Sequence, residues 1–221
     1  NLDSSNPTWT QVAINTTFGT GYTFRRIKAN ITGQNWLILA MTKTSGAAGA
    51  LHIARTTNGG TTWTAAIVVN DLAVNNRMVF SNDNFAQIEW GQHSTNRVFA
   101  NFSNNVTQAA GIVLSTDAGD TWSEYVSIGV TPSGFGPTDL ITPYEGNSGD
   151  TIIWFLGGRS NPNLYRYDPT RGLVSLVAAA SGDDDTAVGP YKIITFVYAG
   201  GQRAYFFRET PGIPDQIDIL Y

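Results

Sequence analysis

Four charged residues stand at corresponding places in the chain: Arg26 in "FRRI", Arg77 in "NNRMV", Asp139 in "PTDLI" and Lys192 in "PYKII". Three cations and one carboxylate facing one axis could hold a carboxylate or other anion, with Arg suited to a bidentate, charge-assisted grip. The same four could equally form an internal salt-bridge ring in which Asp139 and Lys192 satisfy one another. Groups for covalent and acid–base work are also present. Tyr144-Glu145, Tyr205 with Glu209, and Asp183, Asp184 and Asp185 supply a nucleophile type and carboxylates for proton transfer. "PYEGNSGD" and "GDDDT", however, read as solvated turns. His52 and His93 are the two histidines, one in a strand and one in a turn, and neither stands at metal-ligand spacing with another strong ligand. "SGDDDT" lacks the ligand alternation of a calcium loop. No phosphate loop or dinucleotide fingerprint occurs, so neither metal nor cofactor is expected.

Those residues need elements to position them, and the elements repeat. An apolar strand, a polar loop, a second apolar strand and a turn recur four times. The copies are "WLILAMTKTSGAAGALHIARTTNGGTTW", "RVFANFSNNVTQAAGIVLSTDAGDTW", "TIIWFLGGRSNPNLYRYDPTRGL" and "AYFFRETPGIPDQIDILY". Leu37, Val98, Ile152 and Tyr205 occupy corresponding positions, at steps of 61, 54 and 53 residues. Each copy is preceded by a further apolar strand, "FRRIKANI", "RMVFSN", "DLITPY" or "KIITFVY". Turns are followed by another, as in "WTAAIVV", "WSEYVSI" and "LVSLVAA". No segment shows a sustained helical period, so the class is all-β. Four-stranded units at this spacing describe the blades of a β-propeller, one domain over residues 1–221 with blades at roughly 10–70, 71–128, 129–177 and 178–221.

The chain opens with "NPTWTQVAI", an outermost strand without its blade, and closes with "DQIDILY", a third strand without its fourth. The expectation is a four-bladed ring closed by residues 1–15 pairing with the last blade, which removes open sheet edges. The competing architecture is part of a six-bladed propeller.

Two turns carry the strongest local signal. In Thr56, Asn58, Gly60 and Trp63, and again in Ser115, Asp117, Gly119 and Trp122, a hydroxyl leads to Asn or Asp, then Gly, then Thr-Trp. Asn58 or Asp117 can accept backbone N–H bonds inside the turn, the glycine supplies a positive φ, and the indole packs between sheets. A third copy, "YDPTRGL", keeps Asp168 and Gly172 but departs in spacing, and of the fourth Thr8 and Trp9 remain.

These residues resemble the Asp-box, the bacterial neuraminidase repeat of sialidases, related glycoside hydrolases, sortilin-type receptors and binding propellers. The resemblance implies a propeller whose boxes lie away from the active face. "FRRIK" resembles in part the Phe/Tyr-Arg-Ile-Pro motif of sialidases, with Arg26-Ile27 at its middle. In that family this Arg helps clamp a substrate carboxylate.

Composition narrows the partners. A net charge of −4 with 14% charged residues gives no basic stripe for nucleic acid. Apolar runs such as "WLILAM" and "IIWFL" are too short to span a bilayer. Absence of cysteine excludes disulfides and thiolate chemistry. The sequons at Asn15, Asn30, Asn101 and Asn105 read as loop composition. The expectation is a non-enzymatic recognition or structural module, extracellular or on a virion surface, that binds glycan or protein, by adhesion or within a larger or homo-oligomeric assembly. The alternatives are a sialidase-like hydrolase of acidic sugars and a pure assembly subunit.

Overall fold

A computed structural model of the 221-residue chain describes residues 11–30, 36–43, 51–65, 67–68, 88–91, 96–103, 109–130, 139–145, 151–157, 163–178, 192–198, 201–209 and 217–220. Its strands form four antiparallel sheets in chain order. Sheet 1 comprises β1 (Tyr22–Ala29), β2 (Leu37–Lys43), β3 (Leu51–Thr56) and β4 (Ile67–Val68). Sheet 2 comprises β5 (Ile88–Trp90), β6 (Val98–Ser103), β7 (Ala109–Ser115) and β8 (Ser123–Val130). Sheet 3 comprises β9 (Asp139–Glu145), β10 (Thr151–Gly157), β11 (Asn163–Asp168) and β12 (Gly172–Ala178). Sheet 4 comprises β13 (Lys192–Tyr198), β14 (Gly201–Glu209) and β15 (Ile217–Leu220). The first strands of successive sheets are neighbours, β1 beside β5, β5 beside β9 and β9 beside β13. The sheets are therefore arranged about the line of their first strands, in a mostly-β fold of propeller or solenoid type.

Packing follows from the period-two alternation of strands whose two faces are both covered. Ile38, Ala40, Leu51 and Ile53 face sheet 2, where Ile88, Trp90, Val98, Ala100 and Val113 meet them. The alternate residues of sheet 2, Phe99, Ile112, Leu114 and Val126, face sheet 3 and pack on Ile153 with Tyr165 and Tyr167. Each such aliphatic or phenyl group taken out of water contributes about 1.5–3 kcal/mol. Trp36 and Trp90 meet edge to face at 6.2 Å across the first junction.

Two elements differ from expectation. The first strand of sheet 2 is Ile88–Trp90, not "RMVFSN", which lies outside the described residues. Three residues between polar neighbours gave too short a run to stand out. Residues 11–13 are irregular and Ile14–Phe18 form a short helix, α1, so any closing strand is confined to residues 1–10, outside the described residues. The helix owes its place to tertiary packing: Ile14 and Phe18 lie against Leu39, Met41, Ala54 and Trp63, on the face of sheet 1 turned away from sheet 2. Among the described residues no helix is long and apolar enough to cross a membrane.

Candidate functional site

The strand registers give the molecule two ends. β1, β5 and β9 end, and β2, β6 and β10 begin, at the end where the Thr56–Trp63 and Ser115–Trp122 turns lie, since Leu37 pairs with Thr56 and Val98 with Ser115. β1, β9 and β13 begin at the other end, which is the candidate mouth.

The turn end is tied together by polar contacts. Ser115 Oγ donates to Asp117 Oδ1 at 2.7 Å and accepts from Gly119 N at 2.7 Å. Asp117 in turn accepts from Thr121 N at 2.8 Å and Thr121 Oγ1 at 2.5 Å, and the Trp122 indole N–H donates to Gly119 O at 3.0 Å. Thr56, Asn58, Gly60, Thr62 and Trp63 repeat this network, with the Asn58 amide nitrogen donating to Thr62 Oγ1 at 2.8 Å. In both turns the side chains bond back to the turn's own backbone and hydroxyls.

The second turn also binds the sheet before it. Arg55 Nη1 donates to Ala118 O at 2.6 Å and Asp117 O at 3.3 Å, and Arg55 Nη2 reaches Asp120 Oδ1 at 3.4 Å. Lys28 of β1 pairs with Glu89 of β5, and the Trp90 indole N–H donates to Lys28 O at 3.2 Å. Sequence reasoning singled out neither Arg55 nor Glu89, because what matters is the neighbouring sheet and not the local motif.

"YDPTRGL" is a different turn. Asp168 Oδ1 accepts from Thr170 N at 2.9 Å and Thr170 Oγ1 at 2.7 Å, Arg171 N donates to Asp168 O at 3.0 Å, and Gly172 has φ +83°. That is a tight turn closed by a left-handed glycine. Asp168 therefore takes the place of Ser115, not of Asp117.

Both aspartates are held below the usual carboxylate range. For Asp117, burial pushes upward, but the Thr121 side chain and amide, the Ser115 hydroxyl and the Asp120 amide outweigh it. For Asp168 the Thr170 hydroxyl leads, against burial, with the Thr170 amide and Arg166 adding to it. A depressed folded pKa gives stability that is present above the unfolded value, about 3.9, and lost as pH falls through the folded one. The melting temperature should hold from neutral down to about pH 5 and drop below it. Asp117→Asn, which copies the natural Asn58, should fold at pH 7 and show a shallower acid slope than wild type. Identical slopes in thermal melts at stepped pH would contradict this.

At the mouth end the expected ring is only partly assembled. Asp139 and Lys192 open the adjacent strands β9 and β13, opposite Leu156 and Phe207. Arg26 lies inside β1, opposite Ala40 and just past a bulge between Phe24 and Arg26. Counted along the second strands from the turn end, Arg26 and Asp139 still differ by only about one residue. Arg77 is outside the described residues and does not belong to β5. Glu209 ends β14 opposite Ile217, two positions beyond Phe207, so it too lies at the mouth end, with Tyr205 opposite Ile194. Tyr144 and Glu145 are not in a solvated turn: they lie in β9 opposite Ile152 and Thr151, at the turn end. Asp183, Asp184, Asp185 and His93 lie outside the described residues. His52 is buried in β3, edge-on to Tyr22 at 5.1 Å. Among the described residues no cluster of metal-ligating side chains occurs.

No protein-family model matches the chain, and no curated protein matches it. Solved structures do. An α-L-arabinofuranosidase from Fusarium graminearum superposes with a TM-score of 0.52 at 14% identity, over 90% of this chain and 60% of its own. A fructofuranosidase from Schwanniomyces occidentalis gives 0.51 at 13%, over 94% and 46%. A sialidase from Streptococcus pneumoniae gives 0.49 at 14%, over 90% and 30%. The chain thus spans less than two thirds of each. It shares the β-sheet-rich fold of glycoside hydrolases, and the expectation of a non-enzymatic module is corrected on that ground: the scaffold it adopts is one that carries glycosidases.

Proposed function

We propose that the chain is a glycoside-hydrolase-type propeller module that acts on acidic sugars. The observation that carries this reading is the alignment of almost the whole chain with glycosidase folds, with Asp139 and Glu209 at the mouth end of their sheets and Arg26 midway along β1. Glycosidic bond cleavage needs a proton donor and a second carboxylate about 5–10 Å away. Asp139 and Glu145 fail that test: six residues of strand separate them by about 20 Å. Asp139 and Glu209, from neighbouring sheets at one end, are the pair that topology favours. Arg26 and Lys192 then supply positive charge for a substrate carboxylate.

Sheet 4 has three strands among the described residues. In this reading residues 1–10 add its outermost strand and close a four-bladed ring, with α1 next along the chain seated on sheet 1. The composition, cysteine-free with Asn- and Thr-rich loops, suits an extracellular or virion-surface setting.

Arg26→Ala should lower kcat/KM for fluorogenic glycosides of acidic sugars about 10- to 100-fold, the worth of one or two charge-assisted hydrogen bonds. Neutral glycosides should change far less. Equal losses on both classes would remove the carboxylate-binding role.

A further inference from the structure

The Thr56–Trp63 and Ser115–Trp122 turns share one hydrogen-bond network, and among their differences Asn58-Gly59 stands where the second turn has Asp117-Ala118. Asn58-Gly59 is the one Asn-Gly pair in the sequence, and both residues are exposed. An asparagine followed by glycine can react with its own chain, because no Cβ stands beside the next amide nitrogen to keep it from the side-chain carbonyl carbon. Whether it does so depends on how each reacting group is held. In the second turn the corresponding amide, Ala118 N, is engaged with Asn96 O at 2.7 Å. Among the described residues the Gly59 amide donates to nothing, at a φ of +67°.

The other parts of such a reaction are arranged around that amide. Asn58 Oδ1 accepts from Thr62 N at 2.9 Å and from Thr56 Oγ1 at 2.8 Å, two donors placed where negative charge gathers when a nucleophile adds to Cγ. Thr61 Oγ1 donates to Asn58 O at 3.0 Å, which draws electron density from the Asn58–Gly59 peptide and eases loss of the Gly59 amide proton. Asn58 Nδ2, the leaving nitrogen, donates to Thr62 Oγ1 at 2.8 Å. The product has a place as well, because Asp117 shows the turn with a carboxylate in it: Thr121 N and Thr121 Oγ1 both donate to the acid. At Asn58 the change asks only that the Thr62 hydroxyl turn from acceptor to donor.

We propose that Asn58 is a self-modification site, at which the folded chain loses ammonia and turns its first turn into the carboxylate form of its second. Water takes the Gly59 amide proton, the nitrogen bonds to Asn58 Cγ, and the Cγ–Nδ2 bond breaks as Nδ2 takes a proton from water and leaves as ammonia. A further water then opens the cyclic imide between Cγ and the Gly59 nitrogen, which gives aspartate on an unchanged main chain. Opening at the main-chain carbonyl gives isoaspartate instead and inserts a methylene between Thr56 and Gly60, across the Gly60 N to Thr56 Oγ1 bond of 3.0 Å. Nothing is oxidised or reduced, and the net change is water in and ammonia out. Either product adds a negative charge at the turn end.

The test incubates the folded full chain in mildly alkaline buffer and follows it by anion exchange and by fragment-ion mass spectrometry of the tryptic peptide Thr56–Arg77. Acid in place of amide should accumulate at Asn58 faster than at any other asparagine, and faster as pH rises. Gly59→Ala should slow it about tenfold, since a Cβ then stands beside the attacking nitrogen. That variant should fold, because Ala118 already sits at the matching position with φ +60°. Asn58→Asp, which makes the aspartate product directly, should melt within a few degrees of wild type at pH 7. An Asn58 that stays intact in the folded chain overturns the proposal, and conversion in the urea-unfolded chain alone would show that the hydrogen bonds lock the side chain instead. Equal rates in wild type and Gly59→Ala overturn attack by the Gly59 nitrogen. A large fall in melting temperature for Asn58→Asp overturns the claim that the turn receives the carboxylate.

Discussion

Gly119→Ala is expected to destabilise the fold by about 2–5 kcal/mol, while Gly60→Ala, the same change in the matching turn, costs about 1–2 kcal/mol. Both glycines have positive φ, +101° and +92°, so both substitutions carry the backbone penalty of an L-residue there. Their surroundings differ. A Cβ on Gly60 would meet only the Trp63 indole, at 3.8 Å, which is ordinary contact. A Cβ on Gly119 would overlap Ile53 Cδ1, a side chain fully inside the junction of sheets 1 and 2, while meeting Ile38 Cδ1 at ordinary contact distance. The turn cannot retreat, because Arg55 holds two of its carbonyls and Ala118 N donates to Asn96 O at 2.7 Å. At roughly 2–4 °C per kcal/mol for a chain of this size, Gly119→Ala should melt about 5–15 °C below wild type. Equal melting temperatures for the two variants would mean that the second turn is not wedged between sheets.

The second large effect falls on turnover. Asp139→Asn should lower kcat by about 10²- to 10⁴-fold, the usual worth of positioned proton transfer, with the melting temperature nearly unchanged. Asp139 is the first residue of β9, which neighbours β13 on the line of first strands, so asparagine fits the same strand position. Glu145→Gln, at the far end of the same strand, should leave kcat within a few fold. This contrast separates the mouth from the turn end. If Glu145→Gln abolishes turnover and Asp139→Asn does not, the polarity assigned to the sheets is reversed.

Much of the architecture was legible in the residues. The order of sheets followed from strand runs bounded by turn chemistry, and Asn58 and Asp117 could be read as acceptors of backbone N–H groups because the hydrogen bonds of such turns are local. What escaped has a common cause in tertiary context. "IEW" is too short to announce β5, and "INTTF" has no helical propensity of its own but is held by Ile14 and Phe18 on sheet 1. The bulge in β1 inverts the period-two reading of Phe24 and Ile27, and no residue type in "FRRIK" signals it. Tyr144 and Glu145 looked like turn residues beside Gly146, yet they extend β9 to the turn end. Aligning strand entries by sequence alone could not register the bulge in β1, which sets Arg26 inside its strand opposite Ala40, whereas Asp139 and Lys192 open theirs. Expecting a non-enzymatic module went against the fold, which the chain shares with glycoside hydrolases; Glu209 could be placed at the same end as Asp139 only once the strand registers were known.

The most direct test of the account is bond cleavage itself. Wild type and Asp139→Asn are incubated with a mixture of acidic and neutral glycosides, and the anomeric proton signals are followed by NMR. The account predicts a new reducing-sugar signal from an acidic glycoside with wild type and none above background with Asp139→Asn. Intact glycosides throughout, with wild type shown to be folded by its melting transition, would contradict it.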